Sequence, residues 1–133
     1  MGTRNVISTS FGQGKFQVTL QAFTTDNHGI CAFLTGGELP HTGGVVLANP
    51  YLKDDGSYSA DMWINTVPGH KDTEIGTKIA KYLAITTKQT VSLTCGIHID
   101  HASMEEIQQI FDNCMHVAKK WVEDLTIRKS SKI

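Results

Sequence analysis

The sequence reads as an α+β domain: a mainly antiparallel sheet of five to six strands carrying two helices, in the order ββββαβα. Three observations predict it. Residues 16–22 and 58–65 alternate apolar with polar side chains, the period of a strand with one buried face. Turn clusters rich in Asp, Asn and Gly separate the early apolar runs by hairpin-length gaps, which favours antiparallel neighbours. Two later segments repeat their apolar residues every three to four positions, the period of a helix.

Residues 1–14, with Gly2, Gly12 and Gly14 among polar groups, read as a lead-in. Phe16, Val18, Leu20 and Ala22 form the apolar face of a first strand. Asp26-Asn27-His28-Gly29 is a turn whose residues tolerate positive φ. Ile30 to Thr35 follows as a continuous apolar strand, and Gly43 to Ala48 as a third, closed by Asn49-Pro50. After Asp54-Asp55-Gly56, a fourth strand turns Tyr58, Ala60, Met62 and Ile64 one way and Ser59, Asp61, Trp63 and Asn65 the other. Pro68-Gly69 ends it. Asp72 then caps a helix with Glu74 in its first turn and Ile75, Ile79, Tyr82 and Leu83 as its buried stripe. Thr90 to Ile97 is a fifth strand. Ser103-Met104-Glu105-Glu106 is a capping box. It opens a second helix whose stripe is Met104, Ile107, Phe111, Cys114, Ala118, Trp121 and Leu125. A single domain spans 1–133, with an ordered core over about 15–125 and a frayed basic tail, 126–133, containing Arg128, Lys129 and Lys132.

Composition excludes several functions. With 12 Lys plus Arg against 13 Asp plus Glu, the net charge is -1, without the basic excess of a phosphate-neutralising nucleic-acid binder. At 40% hydrophobic and 19% charged the chain is no disordered polyelectrolyte. No apolar stretch approaches the ~20 residues that span a bilayer. The start lacks the layout of a signal peptide, and Val6 stands where a myristoylation pattern requires Ser or Thr. Cys31, Cys95 and Cys114 are far apart in apolar runs, as expected of buried free thiols in a reducing cytoplasm.

Three loops gather polar groups beside glycines. Gly36-Gly37-Glu38-Leu39-Pro40-His41-Thr42-Gly43-Gly44 joins strands two and three. Pro68-Gly69-His70-Lys71-Asp72 leads into the first helix, and Gly96-Ile97-His98-Ile99-Asp100-His101 into the second. Gly69-His70-Lys71 combines a helix start with an ammonium, which is either a phosphate site or a turn with a solvated lysine. His98, Asp100 and His101 resemble the tail of the metallo-β-lactamase-fold metal motif, with Gly96 in place of its first histidine. The missing ligand counts against a metal site, and the segment reads instead as a turn before the Ser103 cap, or as hydrogen-bonding groups for a ligand's ring nitrogens and carbonyls. The four glycines around His41 serve turns and bulges, or the close approach of a flat ligand.

Nucleophilic catalysis finds little support, since the cysteines lie in apolar runs and no Gly-x-Ser-x-Gly elbow occurs. Trp63 lies on the polar face of strand four. The small residues Ser92, Thr94 and Gly96 share a polar sheet face, which suits close packing of a second copy and hence a homodimer.

Taken in order, Gly36-Gly37-x-x-Pro-His41-x-Gly43, Pro68-Gly69-His70-Lys71 and Gly96-Ile97-His98-Ile99-Asp100-x-Ala102 with Glu105-Glu106-Ile107 resemble the LpdD-like prenylated-flavin chaperones. That family contains the small D subunit associated with gallate decarboxylase, and the resemblance covers roughly residues 16–125. Thr42 and Gly44 depart from it, standing where more apolar residues are expected. The resemblance implies a fold similar to proteasome assembly chaperones. It implies a cytoplasmic, homodimeric, non-enzymatic carrier of reduced prenylated FMN that serves a UbiD-like decarboxylase, without nucleic-acid or membrane partners. It further implies that Gly69, His70 and Lys71 take the phosphate, that His41, His98 and Asp100 meet the flavin edge, and that Gly36 and Gly37 let the backbone lie close. Two other readings stay open. One is an accessory subunit of a gallate or hydroxyarylic acid decarboxylase without a cofactor site. The other is a metal-dependent hydrolase or decarboxylase using His98, Asp100 and His101.

Overall fold

A computed structural model describes residues 5–130. Along the chain run strands β1 (Val6–Phe11), β2 (Val18–Thr24), β3 (Ile30–Gly37), β4 (Gly44–Leu52) and β5 (Tyr58–Thr66). Helix α1 (Thr73–Thr87), strand β6 (Val91–His98) and helix α2 (Met104–Ser130) follow. The strands form one sheet in the order β1-β2-β3-β6-β4-β5. The sheet is mixed. Four of its neighbour pairs are antiparallel, as expected, but β3 and β6 run parallel, Ile30 opposite Val91 and Gly37 opposite His98.

Both helices lie against one face. Leu20, Leu34, Val46 and Leu93 from the sheet, Ile79 and Leu83 from α1, and Val117 and Trp121 from α2 close the core. Helix α2 is also tied by hydrogen bonds to the edge strand β1. Trp121 Nε1 donates to the Ile7 carbonyl at 3.1 Å, and Thr9 Oγ1 donates to Asp124 at 2.8 Å. Among the described residues no helix is long and apolar enough to cross a membrane.

The predicted turns form with the expected backbone: Asn27 at φ 64, Gly29 at φ 129 and Gly56 at φ 89. The capping box of α2 is reciprocal, Glu106 N–H to Ser103 Oγ at 3.1 Å and Ser103 N–H to Glu106 Oε1 at 3.0 Å.

Four local expectations are corrected. Residues 6–11, read as part of a lead-in, form strand β1, whose inward Ile7 and Thr9 are buried under α2. Strand β4 does not stop at Pro50 but runs on to Leu52. Its pairing with β6 ends at Ala48, so on that side the missing proline N–H leaves no ladder bond unmade. Residues 126–130 continue α2 instead of fraying, with Arg128 donating to the Val6 carbonyl and Lys129 to Asn27 Oδ1, each at 2.9 Å. Gly2 and Lys132 lie outside the described residues. Finally, the α2 stripe holds from Cys114 to Leu125 but slips at its start. Ile110 is buried there, whereas Met104 is 81% exposed and Ile107 38%. The first turns of α2 therefore leave Met104 and Ile107 uncovered.

Candidate functional site

The site lies at the end of the sheet where the parallel strands β3 and β6 finish, a position that commonly places ligand groups in sheets with parallel strands. Strand β6 sits between β3 and β4, so the loop joining those two must cross it. Glu38 N–H donates to the His98 carbonyl at 2.6 Å and Gly43 N–H to the Cys95 carbonyl at 2.8 Å, pinning both sides of the crossing. The crossing demands bare backbone. A Cβ at Gly96 would overlap the His41 carbonyl, and one at Gly43 would overlap the Asp72 carboxylate. Gly37, at φ +77, lies against the His98 carbonyl in the same way.

This packing brings the three loops together. His41 Nδ1 is 2.8 Å from the Leu39 carbonyl oxygen. A carbonyl only accepts, so Nδ1 carries the hydrogen. His41 Nε2 then faces Asp72 Oδ2 at 2.7 Å and His70 Nδ1 at 3.2 Å. The Asp72 carboxylate also accepts from the Ile97 N–H at 3.3 Å. His98 meets His41 edge-on, ring centroids 6.4 Å apart, and its Nε2 pairs with Asp100 Oδ1 at 2.7 Å. The Asp100 N–H donates to Glu38 at 2.9 Å, joining the third loop to the first.

Asp72 departs from its predicted role. It occupies the N-cap position of α1, but its side chain makes no cap bond. The carboxylate instead reaches across to β6 and His41, and the positive end of α1 is left without that side-chain cap.

Beside this cluster opens a cavity of about 390 Å³. Its lining combines the polar groups of His70, Lys71, Asp72, Glu74 and His98 with the apolar side chains of Ile99, Ile107, Ile110 and Phe111. The slip at the start of α2 creates the apolar wall, because Ile107 and Phe111 face the opening. Of the residues singled out from sequence, Gly69, His70, Lys71 and His98 line the cavity, while His41 and Asp100 stand behind as partners of the lining groups. Gly36 and Gly37 are not on it. Gly36 lies against Gln17 and Val18, where a Cβ would meet the Gln17 oxygen at 2.7 Å. Asp72, Ile99, Ile107 and Phe111 escaped sequence reasoning as site residues. Gly96 beside a predicted strand's polar face was the available hint of a crossing chain. A second cavity, about 420 Å³, lies between Asn27, Gln89, Thr24 and Leu125 and contains none of the motif residues.

Of the three cysteines expected to be buried, Cys95 and Cys114 are, whereas Cys31 is exposed, because alternation along β3 turns it to the face the helices do not cover. Burial, aided by the nearby Asp72 charge, pushes the Cys95 thiol up to about 12, and burial does the same to Cys114. Neither supplies a thiolate near neutral pH.

The mixed six-stranded sheet with both helices on one face is a fold shared with a known structure. A chain from the crystal structure of a chaperone complex for yeast 20S proteasome assembly superposes with a TM-score of 0.59 at 11% identity. The match covers 92% of this chain and 94% of that one. The chain itself belongs to the prenylated flavin chaperone LpdD-like domain family, whose model matches residues 12–126. No curated protein matches it.

Proposed function

We propose that this protein is a cytoplasmic carrier of reduced prenylated FMN that delivers its cargo to a UbiD-like decarboxylase and catalyses no reaction itself. The observation that carries the reading is a cavity lined by both polar and apolar groups in a chain of this family. A prenylated flavin has an anionic phosphate, a polar ring edge and an apolar ring and prenyl group. The cavity offers a group for each. Lys71 and the start of α1 supply positive charge for the phosphate. His70 and His98, braced by His41 and Asp100, offer hydrogen bonds to ring nitrogens and carbonyls. Ile99, Ile107 and Phe111 provide the apolar wall. Gly36 and Gly37 act indirectly, by letting the first loop pack against β2 and His98. Part of the wall comes from the uncovered start of α2, so the cargo is held in an open site from which release is easy.

The carrier works as a homodimer through the sheet face that the helices leave uncovered. Phe23, Phe33, Leu47 and Trp63 project from it, with Trp63 56% exposed.

Anaerobic titration with reduced prenylated FMN tests the reading. Saturable binding is expected, with affinity weakened about tenfold or more in Lys71→Ala, the scale of one charge-assisted hydrogen bond. Equal affinity for an unrelated dinucleotide, or no binding, overturns it. Transfer is read by adding apo decarboxylase to the loaded carrier and following activation, which must exceed that given by free cofactor.

A further inference from the structure

We propose that His41, His70 and Asp72 form a binding site for a divalent first-row transition-metal ion. Three ligand atoms, His41 Nε2, His70 Nδ1 and Asp72 Oδ2, lie within 4.8 Å of one another. Their separations are 2.7, 3.2 and 4.0 Å. Ligands at metal bond lengths of about 2.0–2.2 Å stand roughly 2.8–3.6 Å apart between right-angled and tetrahedral geometry, so small side-chain movements suffice to surround an ion.

The surroundings prepare these atoms to bind. The Leu39 carbonyl takes the Nδ1 hydrogen of His41, which leaves Nε2 to point its lone pair at the cluster. An outer backbone carbonyl holding the second ring N–H is the usual support of a metal-bound histidine. The Ile97 N–H likewise orients the Asp72 carboxylate. Nε2 and Asp72 Oδ2 lie 2.7 Å apart, a spacing that suits a hydrogen bond and that widens by a few tenths of an ångström when both ligate one ion. His70 Nδ1, turned to the same point at 3.2 Å from His41 Nε2, supplies the third donor. Gly43 and Gly96 make the approach of Asp72 and His41 sterically possible.

Two imidazoles and one carboxylate favour zinc, iron, cobalt or manganese over magnesium or calcium, which prefer oxygen alone. His70 and Asp72 also line the cavity, so the remaining coordination positions open toward it. The site differs from the His98, Asp100 and His101 grouping considered from the sequence. The ligand set does not depend on the flavin reading, and its test needs no flavin.

The full-length protein, stripped with chelator, is titrated with Co²⁺ and followed by visible absorption. One saturating site per chain is expected, displaced by Zn²⁺ and not by Mg²⁺. His70→Ala changes the most exposed of the three ligands and leaves the packed loop crossing intact. It should weaken Co²⁺ by more than the roughly 10–100-fold that follows loss of an outer partner. Asp72→Asn should weaken it as well, and His101→Ala should not. No saturable absorption in the wild type means that only a proton bridges His41 and Asp72, and overturns the proposal. Unchanged affinity in His70→Ala, or loss in His101→Ala with retention in His70→Ala, overturns it equally. Flavin titration of the chelated protein is scored separately, so failure of the metal site leaves the carrier reading standing, and the reverse.

Discussion

The two faces of the sheet are built from the same strands and end in opposite states. On one face Leu20, Leu34 and Leu93 are fully buried beneath the helices. On the other, cross-strand pairing sets Val6, Phe23, Cys31, Ser92, Leu47 and Trp63 in a row across all six strands. Phe23 is 60% exposed and Trp63 56%. An antiparallel sheet that meets water on one side normally alternates apolar-in with polar-out. Here the outer positions keep large apolar groups among Ser8, Gln21, Thr94 and Asn65. The difference teaches that burial inside one chain explains only half of the strand pattern. The exposed apolar row on the other face is the basis of the proposed dimer.

The largest effect should separate adjacent residues of β3. Leu34→Ala removes a fully buried side chain and should cost about 2–5 kcal/mol in denaturant unfolding at low protein concentration. Phe33→Ala, one residue away on the uncovered face, should cost about 1 kcal/mol or less under the same conditions. Equal losses would mean that the uncovered face is already packed within one chain. Next in size, Trp63→Asp buries a charge in the proposed interface. Sedimentation should show a dimer becoming a monomer, with the dissociation constant raised roughly 30-fold or more, as for an anchor worth about 2 kcal/mol. A wild type that sediments as a monomer throughout removes the dimer.

Much of this contrast was legible in the sequence, because alternation is a local property. The faces of β5 and β6 were read residue by residue, and the α2 cap announced itself in Ser103 and Glu106. What escaped reading was non-local. Strand β1 hides its inward register behind Thr9, a polar residue that is buried because Asp124 accepts its hydroxyl hydrogen. The parallel β3–β6 pair leaves no hairpin signal, so the crossing loop was visible only as glycines without an assignment. Asp72 carries the composition of a helix cap, and only the fold reveals that Ile97 and His41 claim its carboxylate. The start of α2 continues a helical apolar period, yet Ile107 faces a cavity, since periodicity names a face without saying what covers it.

That uncovered start of α2 gives a smaller effect. Lys15, and then the Ser103 N–H, hold the Glu106 carboxyl below the usual carboxylate range. Its folded value is depressed, so its contribution is present above the ordinary carboxylate pKa and is lost as pH falls through the folded value. Glu106→Ala should therefore lower Tm slightly at neutral pH. The gap from wild type should close as pH drops below about 4. The apolar wall of the cavity depends on the same turn, so flavin affinity should fall along with the helix cap. A Tm gap that widens in acid would exclude the ion pair as its source.

The finest probe of the two faces changes no packing. Cys31 lies on the uncovered face and is exposed, whereas Cys95 is on the covered face and buried. A water-soluble thiol reagent should modify Cys31 rapidly in the native protein, and Cys95 and Cys114 only in denaturant. Raising the pH from 7 to 9 should not bring Cys95 into reaction, because its thiol is pushed up to about 12 and stays protonated throughout that interval. Cys31 then reports on the second layer directly. Its rate should fall as protein concentration rises through the dimerisation range, and Trp63→Asp should abolish that fall. A rate independent of concentration, in a protein that sediments as a dimer, would place the dimer contact on some other surface.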